Sequence, residues 1–195
     1  PGKGAGGWEG EGAETLGGRG SRGAATAKTA VMMSQTGHLM FSTVHARDSI
    51  SALARVFELG VPRGDFLREM VCLISQRLVR TICPDCAEKA EVPAELLEYL
   101  TPDEVKLMSE GTLKKGKGCR CCNHRGYRGR IAVPEYIVFD NEVRDYLAES
   151  RGIQETIAFL REKKGYVPMW EKGLALVAEG RTTIEEVIAR IAPDR

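Results

Sequence analysis

Gln76-Arg77-Leu78-Val79-Arg80-Thr81-Ile82-Cys83-Pro84-Asp85-Cys86 ends in two thiols with two residues between them, and Cys119-Arg120-Cys121-Cys122 repeats that spacing 32 residues further on. Two intervening residues let a tight turn aim both sulfurs at one ion, and two such turns complete the tetrahedral sulfur shell that suits Zn²⁺. Two disulfides, or a CxxC redox pair, are the competing readings. The first is disfavoured by the lack of an export signal, and the second because redox motifs do not normally come in matched pairs. The spacing therefore predicts a structural zinc site on Cys83, Cys86, Cys119 and Cys122. Cys121 leaves the register of the second pair open, but matching the first pair favours Cys119 and Cys122 and leaves Cys121 as a spectator. Four protein ligands leave no open coordination position, so the ion would hold the fold rather than do chemistry. Such binding contributes on the order of 10 kcal/mol to a lobe with little core of its own.

Working outward, residues 87–118 read as an insertion between the cysteine pairs, with helices near 93–100 and 102–108 and then a basic loop, Lys114-Lys115-Gly116-Lys117-Gly118. Upstream, Phe66, Met70, Leu73, Ile74 and Leu78 predict a helix over about 64–79 with Cys72 as a buried thiol in it. Asp48 or Ser49 caps a helix to about Leu59, stopped by Gly60, and residues 26–35 form another, ended by Thr36-Gly37. Between them, Leu39 to Val44 predicts a short buried strand that delivers His45 at its end. Downstream, residues 131–139 are a strand candidate with Pro134 demoting its centre. Helices follow over about 141–150, 153–163 and 169–178. Thr183-Ile184-Glu185-Glu186 is a capping box opening a last helix through Ile191.

The 195 residues suffice for one medium domain or two small ones. Lys and Arg number 28 against 27 Asp and Glu, so bulk charge selects no nucleic-acid or anionic-lipid partner. No apolar run is long enough for a transmembrane helix, which makes a cytosolic chain the default expectation. Ten of the 22 glycines fall within the first 23 residues, where Trp8 and Leu16 are the sole large apolar groups. So little apolar surface cannot offset the ordering entropy of so many glycines, and residues 1–25 are expected to be disordered.

His38 and His45 stand seven residues apart in Thr36-Gly37-His38-Leu39-Met40-Phe41-Ser42-Thr43-Val44-His45. A strand ending in Ser-Thr-x-His can aim a donor at a phosphate. Read from spacing alone, both are equally hydrogen-bonded core or loop residues. His124, beside the second cysteine pair, reads as solvent-facing.

Five ordered segments carry a resemblance to a known family. TGHLMFSTVHARD (Thr36 to Asp48) resembles the His box of the secretion ATPases of bacterial type II secretion and type IV pilus assembly. QRLVRTICPDC (Gln76 to Cys86) resembles their QRL segment running into a zinc lobe, and GCRCCNHRGYRGR (Gly118 to Arg130) their second zinc knuckle. VPEYIVFDNEVRDYL (Val133 to Leu147) and MWEKGLALVAEGRTTIEEV (Met169 to Val187) resemble their C-terminal strand and helical region. The resemblance covers about Thr26 to Ile191. After the Gly-rich tail over 1–25, it implies an α/β fold in three parts: the C-terminal part of a RecA-like P-loop ATPase core over 26–82, an inserted tetracysteine zinc lobe over 83–130, and a C-terminal strand and helical region over 131–195. It further implies His45 as γ-phosphate sensor with His38 supporting it, and places Arg77 and Arg80 near nucleotide, although ion pairs are the other reading of both arginines. The tetracysteine lobe favours the secretion and pilus-extension branch, because the similar retraction motors lack it. Family membership also implies ATP and Mg²⁺ in the full-length protein, a homo-hexamer, inner-membrane platform partners, and a cytoplasmic place at that membrane.

Phosphoryl transfer to water requires a Walker A loop, a Mg²⁺ ligand and an acidic residue. Pro1-Gly2-Lys3-Gly4 lacks the preceding glycine and the following Ser or Thr, and Gly20-Ser21-Arg22-Gly23-Ala24-Ala25 stands where an acidic Walker B segment belongs. The chain alone is therefore expected to be inactive. Residues 1–25, rich in what GC-rich DNA encodes out of frame, read as a frameshifted or misannotated start. The rival reading is a non-catalytic zinc knuckle in which Lys114, Lys115, Lys117, Arg120, Arg125, Arg128 and Arg130 contact nucleic acid or an acidic protein. Only Tyr127 offers a base-stacking platform there, so nucleic acid is not strongly expected.

Overall fold

The computed structural model describes residues 15–17, 24–149 and 151–191, a mixed α/β chain that divides into two compact units. Neither unit is one continuous stretch. The first comprises the residues up to Ser75 together with Tyr136–Tyr166, and the second Gln76–Glu135 together with Val167 onward.

In the first unit, α1 (Ala24–Gln35) ends at Gly37, whose φ of +91° makes the left-handed stop expected of Thr36-Gly37. The strand that follows, β2 (Leu39–Phe41), is three residues long and pairs in parallel with β1 (Thr15–Gly17). Two sequence expectations are corrected here. The strand does not reach Val44 and is not buried, since Leu39 and Phe41 are 49% and 59% exposed. Residues 15–17, read as disordered, take part in that pairing, while 1–14 and 18–23 lie outside the described residues.

Helix α2 (Ser49–Glu58) starts where the capping rule puts it, because Asp48 accepts from the Ser51 N–H at 2.6 Å. It buries Ile50, Leu53 and Val56 in a core shared with Leu67, Ile137, Val143 and Leu160. Phe66 meets Phe57 and Phe139 edge-on, at centroid separations of 5.6 and 6.2 Å. Helix α3 (Arg63–Glu69) is one short helix, and here the reading of 64–79 as helical fails: β3 runs over Cys72–Ile82. Leu73, Val79 and Ile82 are buried while Ile74 and Leu78 are 66% and 50% exposed, so the apolar residues occupy both faces of a strand. Arg144 of α5 (Asn141–Ala148) donates to the carbonyls of Leu67 and Met70, at 2.9 and 3.0 Å, and so satisfies the end of α3. Helix α6 (Ile153–Lys164) completes this unit, and its Lys164 reaches Asp140 and Glu142. That contact from Lys164, with the N–H of Val143, holds the Asp140 carboxyl below its usual range.

β3 pairs with β6 (Tyr127–Val138). The Phe139 N–H donates to Val71 O and the Cys83 N–H to Gly126 O, so the strands run antiparallel. β6 begins four residues earlier than predicted, and Pro134 is no interruption, because a two-stranded ribbon leaves its missing N–H on a free edge.

The second unit holds β4 (Ala87–Lys89) and β5 (Lys114–Gly116), an antiparallel pair that replaces part of the predicted basic loop. Between them, residues 94–99 form a 3₁₀ turn rather than a full helix, and α4 (Pro102–Glu110) opens on a reciprocal capping box of Thr101 and Glu104. Helices α7 (Met169–Ala178) and α8 (Ile184–Ile191) pack closely, since a Cβ on Gly173 would lie 2.8 Å from Val187 Cγ1. Leu100, Met108, Leu174, Val177, Ile184 and Val187 form the larger core of this unit. Glu135 is buried and accepts from the Met169 N–H at 2.6 Å, starting α7.

Candidate metal centre

Strand β3 ends at Ile82, and a 3₁₀ turn over Pro84–Cys86 follows at once, so the ladder delivers Cys83 and the turn brings Cys86 beside it. A matching 3₁₀ turn over Arg120–Cys122 does the same for Cys119 and Cys122. Asn123 and His124, both at positive φ, then reverse the chain into β6. Gly118 at φ +94° and Gly126 at +74° bracket this second turn.

The four sulfurs converge. Cys83 to Cys119 and Cys86 to Cys122 are each 3.9 Å, Cys119 to Cys122 is 3.8 Å, and all four Sγ atoms lie within 4.8 Å of one another. A tetrahedron of metal–sulfur bonds near 2.3 Å has edges of about 3.8 Å, so these thiols fit a metal such as zinc. A disulfide needs about 2.0 Å, and all six cysteines are free. Backbone N–H groups aim at the sulfurs: Gly118 at Cys86, 3.3 Å, and Cys119 and Gly126 at Cys122, 3.2 and 3.3 Å. Burial pushes the Cys83 thiol up to about 12, whereas the Cys119 N–H, helped by that of Gly126, holds Cys122 down at about 6. Cys121 is exposed and outside the cluster, and His124 is exposed on the turn.

The two arms of the second knuckle touch through glycine. A Cβ on Gly126 would sit 2.5 Å from Gly116 O, and one on Gly116 would collide with the Gly126 carbonyl and Cα. Sequence reading did not single out either residue, because nothing local marks two backbones meeting across the lobe. Gly116→Ala is expected to spread the base of the second knuckle and weaken metal retention by roughly tenfold, through the strain that overpacking imposes. Competition against a chromophoric chelator measures it, and an unchanged midpoint contradicts the tight approach.

The other candidate residues are not gathered into this centre. His38 is half-buried, with Nδ1 3.0 Å from Thr36 Oγ1, and His45 is exposed in the segment after β2. Arg77 is exposed. Arg80 is committed elsewhere: its Nε donates to Glu186 at 2.7 Å, its backbone N–H donates to the same carboxylate at 3.1 Å, and its guanidinium lies 4.0 Å above the Tyr127 ring. Glu186 was read as the far half of a capping box. The Thr183 half forms, accepting from the Glu186 N–H at 3.4 Å, but the carboxylate turns to Arg80 instead. Tyr127 likewise pairs its hydroxyl with Thr183, 2.8 Å, rather than offering a free aromatic face. Of the seven basic residues around the knuckles, Lys115 pairs with Glu88 and Arg128 with Asp85.

A mixed α/β chain with paired cysteine knuckles defines a class, and the relatives make it specific. Residues 20–189 match the type II/IV secretion system protein family, and the chain belongs to that family. It is 36% identical over 165 residues to the type IV pilus assembly ATPase PilB of Thermus thermophilus, covering 85% of this chain and 18% of that protein. It is 35% identical over 164 residues to the type II secretion system protein E of Aeromonas hydrophila, covering 84% and 32%. The chain thus spans about a third or less of the length of these curated relatives. In fold it is similar to the ATPase DotB of Legionella pneumophila, with a TM-score of 0.59 at 19% identity over 90% of this chain and 38% of that one. No helix among the described residues is long and apolar enough to cross a membrane.

Proposed function

We propose that this chain is the C-terminal part of the motor domain of an ATPase that powers type II protein secretion or type IV pilus assembly. The observation that carries the reading is the family match over residues 20–189, joined to relatives named as pilus and secretion ATPases. On this reading residues 26–82 are the back of a RecA-like nucleotide core, 83–130 a zinc lobe, and 131–195 a helical region that follows it. Zinc held by Cys83, Cys86, Cys119 and Cys122 supplies a structural crosslink. His45, exposed in the segment after β2, senses the γ-phosphate, and His38 steadies the segment through Thr36. Arg77 remains the arginine available to nucleotide or to a neighbouring subunit, whereas the bonds of Arg80 to Glu186 favour a structural role. The complete motor works as a hexamer on the cytoplasmic side of an inner-membrane platform.

The knuckle-module rival is weakened by the internal pairing of Lys115 and Arg128. The 195 residues carry no recognisable phosphate loop, so the purified chain is expected to show no ATP turnover and no micromolar ATP affinity. The direct test is a chimera in which residues 26–191 replace the aligned segment of the Thermus thermophilus relative. Retained ATP hydrolysis, lost on His45→Ala with zinc content unchanged, is the expected result. A folded, zinc-loaded chimera that hydrolyses ATP equally well with or without His45 contradicts the assignment.

A further inference from the structure

Apart from its sulfurs, the segment that carries the four cysteines has almost no core of its own. Its buried large residues, Leu100 and Met108, pack against Leu174, Val177 and Val187, which come from the chain after Val167. The α7–α8 pair is closed on one side by that segment and on another by the strands that lead into and out of it, where Met169 and Ile191 pack with Val79 and Val133. The polar ties of α7–α8 to the strand ends that flank that segment, Arg80 and Ile82 of β3 and Tyr127 of β6, cluster beside the cysteines. The Ile82 N–H, next to Cys83, donates to Arg181 O at 3.0 Å, and Thr182 Oγ1 donates to Arg80 O at 2.8 Å. Arg80 forks onto Glu186, and Tyr127, adjacent to the Gly126 whose N–H meets Cys122 Sγ, bonds Thr183. On the far side, the Thr112 N–H donates to Ala178 O at 2.7 Å.

We infer that metal occupancy of the tetracysteine centre controls the docking of the α7–α8 pair, so that the centre acts as a metal-sensitive latch on the C-terminal helices. The inference rests on the reading of the four thiols as a metal site. Without the ion, residues 83–126 regain the entropy of an unclosed loop. The backbone at Ile82 and Tyr127 then no longer holds the register that Arg181 and Thr183 require. By linkage, whatever stabilises docking must also tighten metal binding.

The test compares the full chain, reduced, with zinc bound and after zinc is stripped by a chelator, with zinc content measured on each sample. Amide exchange in residues 169–191 is expected to rise at least about tenfold on stripping while that in 141–164 stays within about twofold, as for separate cooperative units. Trp170, whose indole N–H donates to Glu104 at 2.6 Å, should change its fluorescence in parallel. Equal exchange in 169–191 with and without zinc, in samples that differ in measured zinc, overturns the latch alone. A reduced chain that carries no zinc and takes up none overturns the metal reading and the latch with it. A second arm avoids the sulfurs: Glu186→Gln should weaken zinc binding roughly tenfold through this coupling. Glu185→Gln, on the exposed side of α8, should leave it unchanged. Equal zinc affinity in both variants contradicts the coupling.

Discussion

Serine in place of Cys83 is expected to abolish tight zinc binding and to leave the second unit without stable structure. Cys83 is fully buried, its sulfur is 3.9 Å from that of Cys119, and its backbone N–H is tied to Gly126 O. The hydroxyl of serine is a poor ligand, and buried Cys122 with partly exposed Cys86 and Cys119 would be left around an incomplete shell. Structural zinc supplies on the order of 10 kcal/mol of apparent binding free energy, which matches the whole margin of a typical domain, about 5–15 kcal/mol. The second unit cannot absorb that loss, because its apolar core is assembled from two segments that need the knuckles in place. Zinc content and amide dispersion of the variant measure the effect, with Cys121→Ser as the control, since that thiol is exposed and outside the cluster. One bound zinc per chain in the Cys83 variant contradicts the assignment of ligands.

The second large effect belongs to Glu186. Burial pushes its carboxyl up, but the hydrogen bonds and charge of Arg80 outweigh burial and leave it below its ordinary value. Removing one partner of a fully buried pair costs about 3–5 kcal/mol. The Arg80 side chain is 44% exposed and can recover water, so Glu186→Gln is expected to cost less, about 2 kcal/mol at neutral pH. Because the folded carboxyl is depressed, its contribution is complete above the unfolded value, near 4.3, and disappears as pH falls through the lower folded value. Chemical unfolding of the two proteins should therefore show a gap at pH 7 that narrows as pH falls below about 4.3. A gap that stays constant over that range would assign the effect to packing rather than to the charge pair.

The cysteine centre was legible in the sequence because its geometry is local: two residues between thiols fix a turn whichever fold surrounds it. The helices after residue 140 were legible for a similar reason, as Asp140, Pro168 and Thr183 mark their starts. The strand over 72–82 was not. Leu73, Ile74 and Leu78 sit at spacings that one helical face would also produce, and only the exposure of Ile74 and Leu78 separates the two. An apolar outer face on a strand defeats a periodicity argument, since alternation is then hidden. Glu186 was misread for a related reason. A capping box is a relation over three residues, whereas the partner that wins the carboxylate lies 106 residues upstream. The division of each compact unit between two distant segments follows from such long-range pairings, and composition along the chain carries no trace of it.

The central claim is that Cys83, Cys86, Cys119 and Cys122 form one metal centre on which the second unit depends. Zinc-edge X-ray absorption on the purified, reduced chain tests it most directly. One zinc per chain with four sulfur neighbours at about 2.3 Å, and no nitrogen or oxygen in the shell, is the expected result. A substoichiometric ion, or a shell in which a light atom replaces one of the sulfurs, would contradict it.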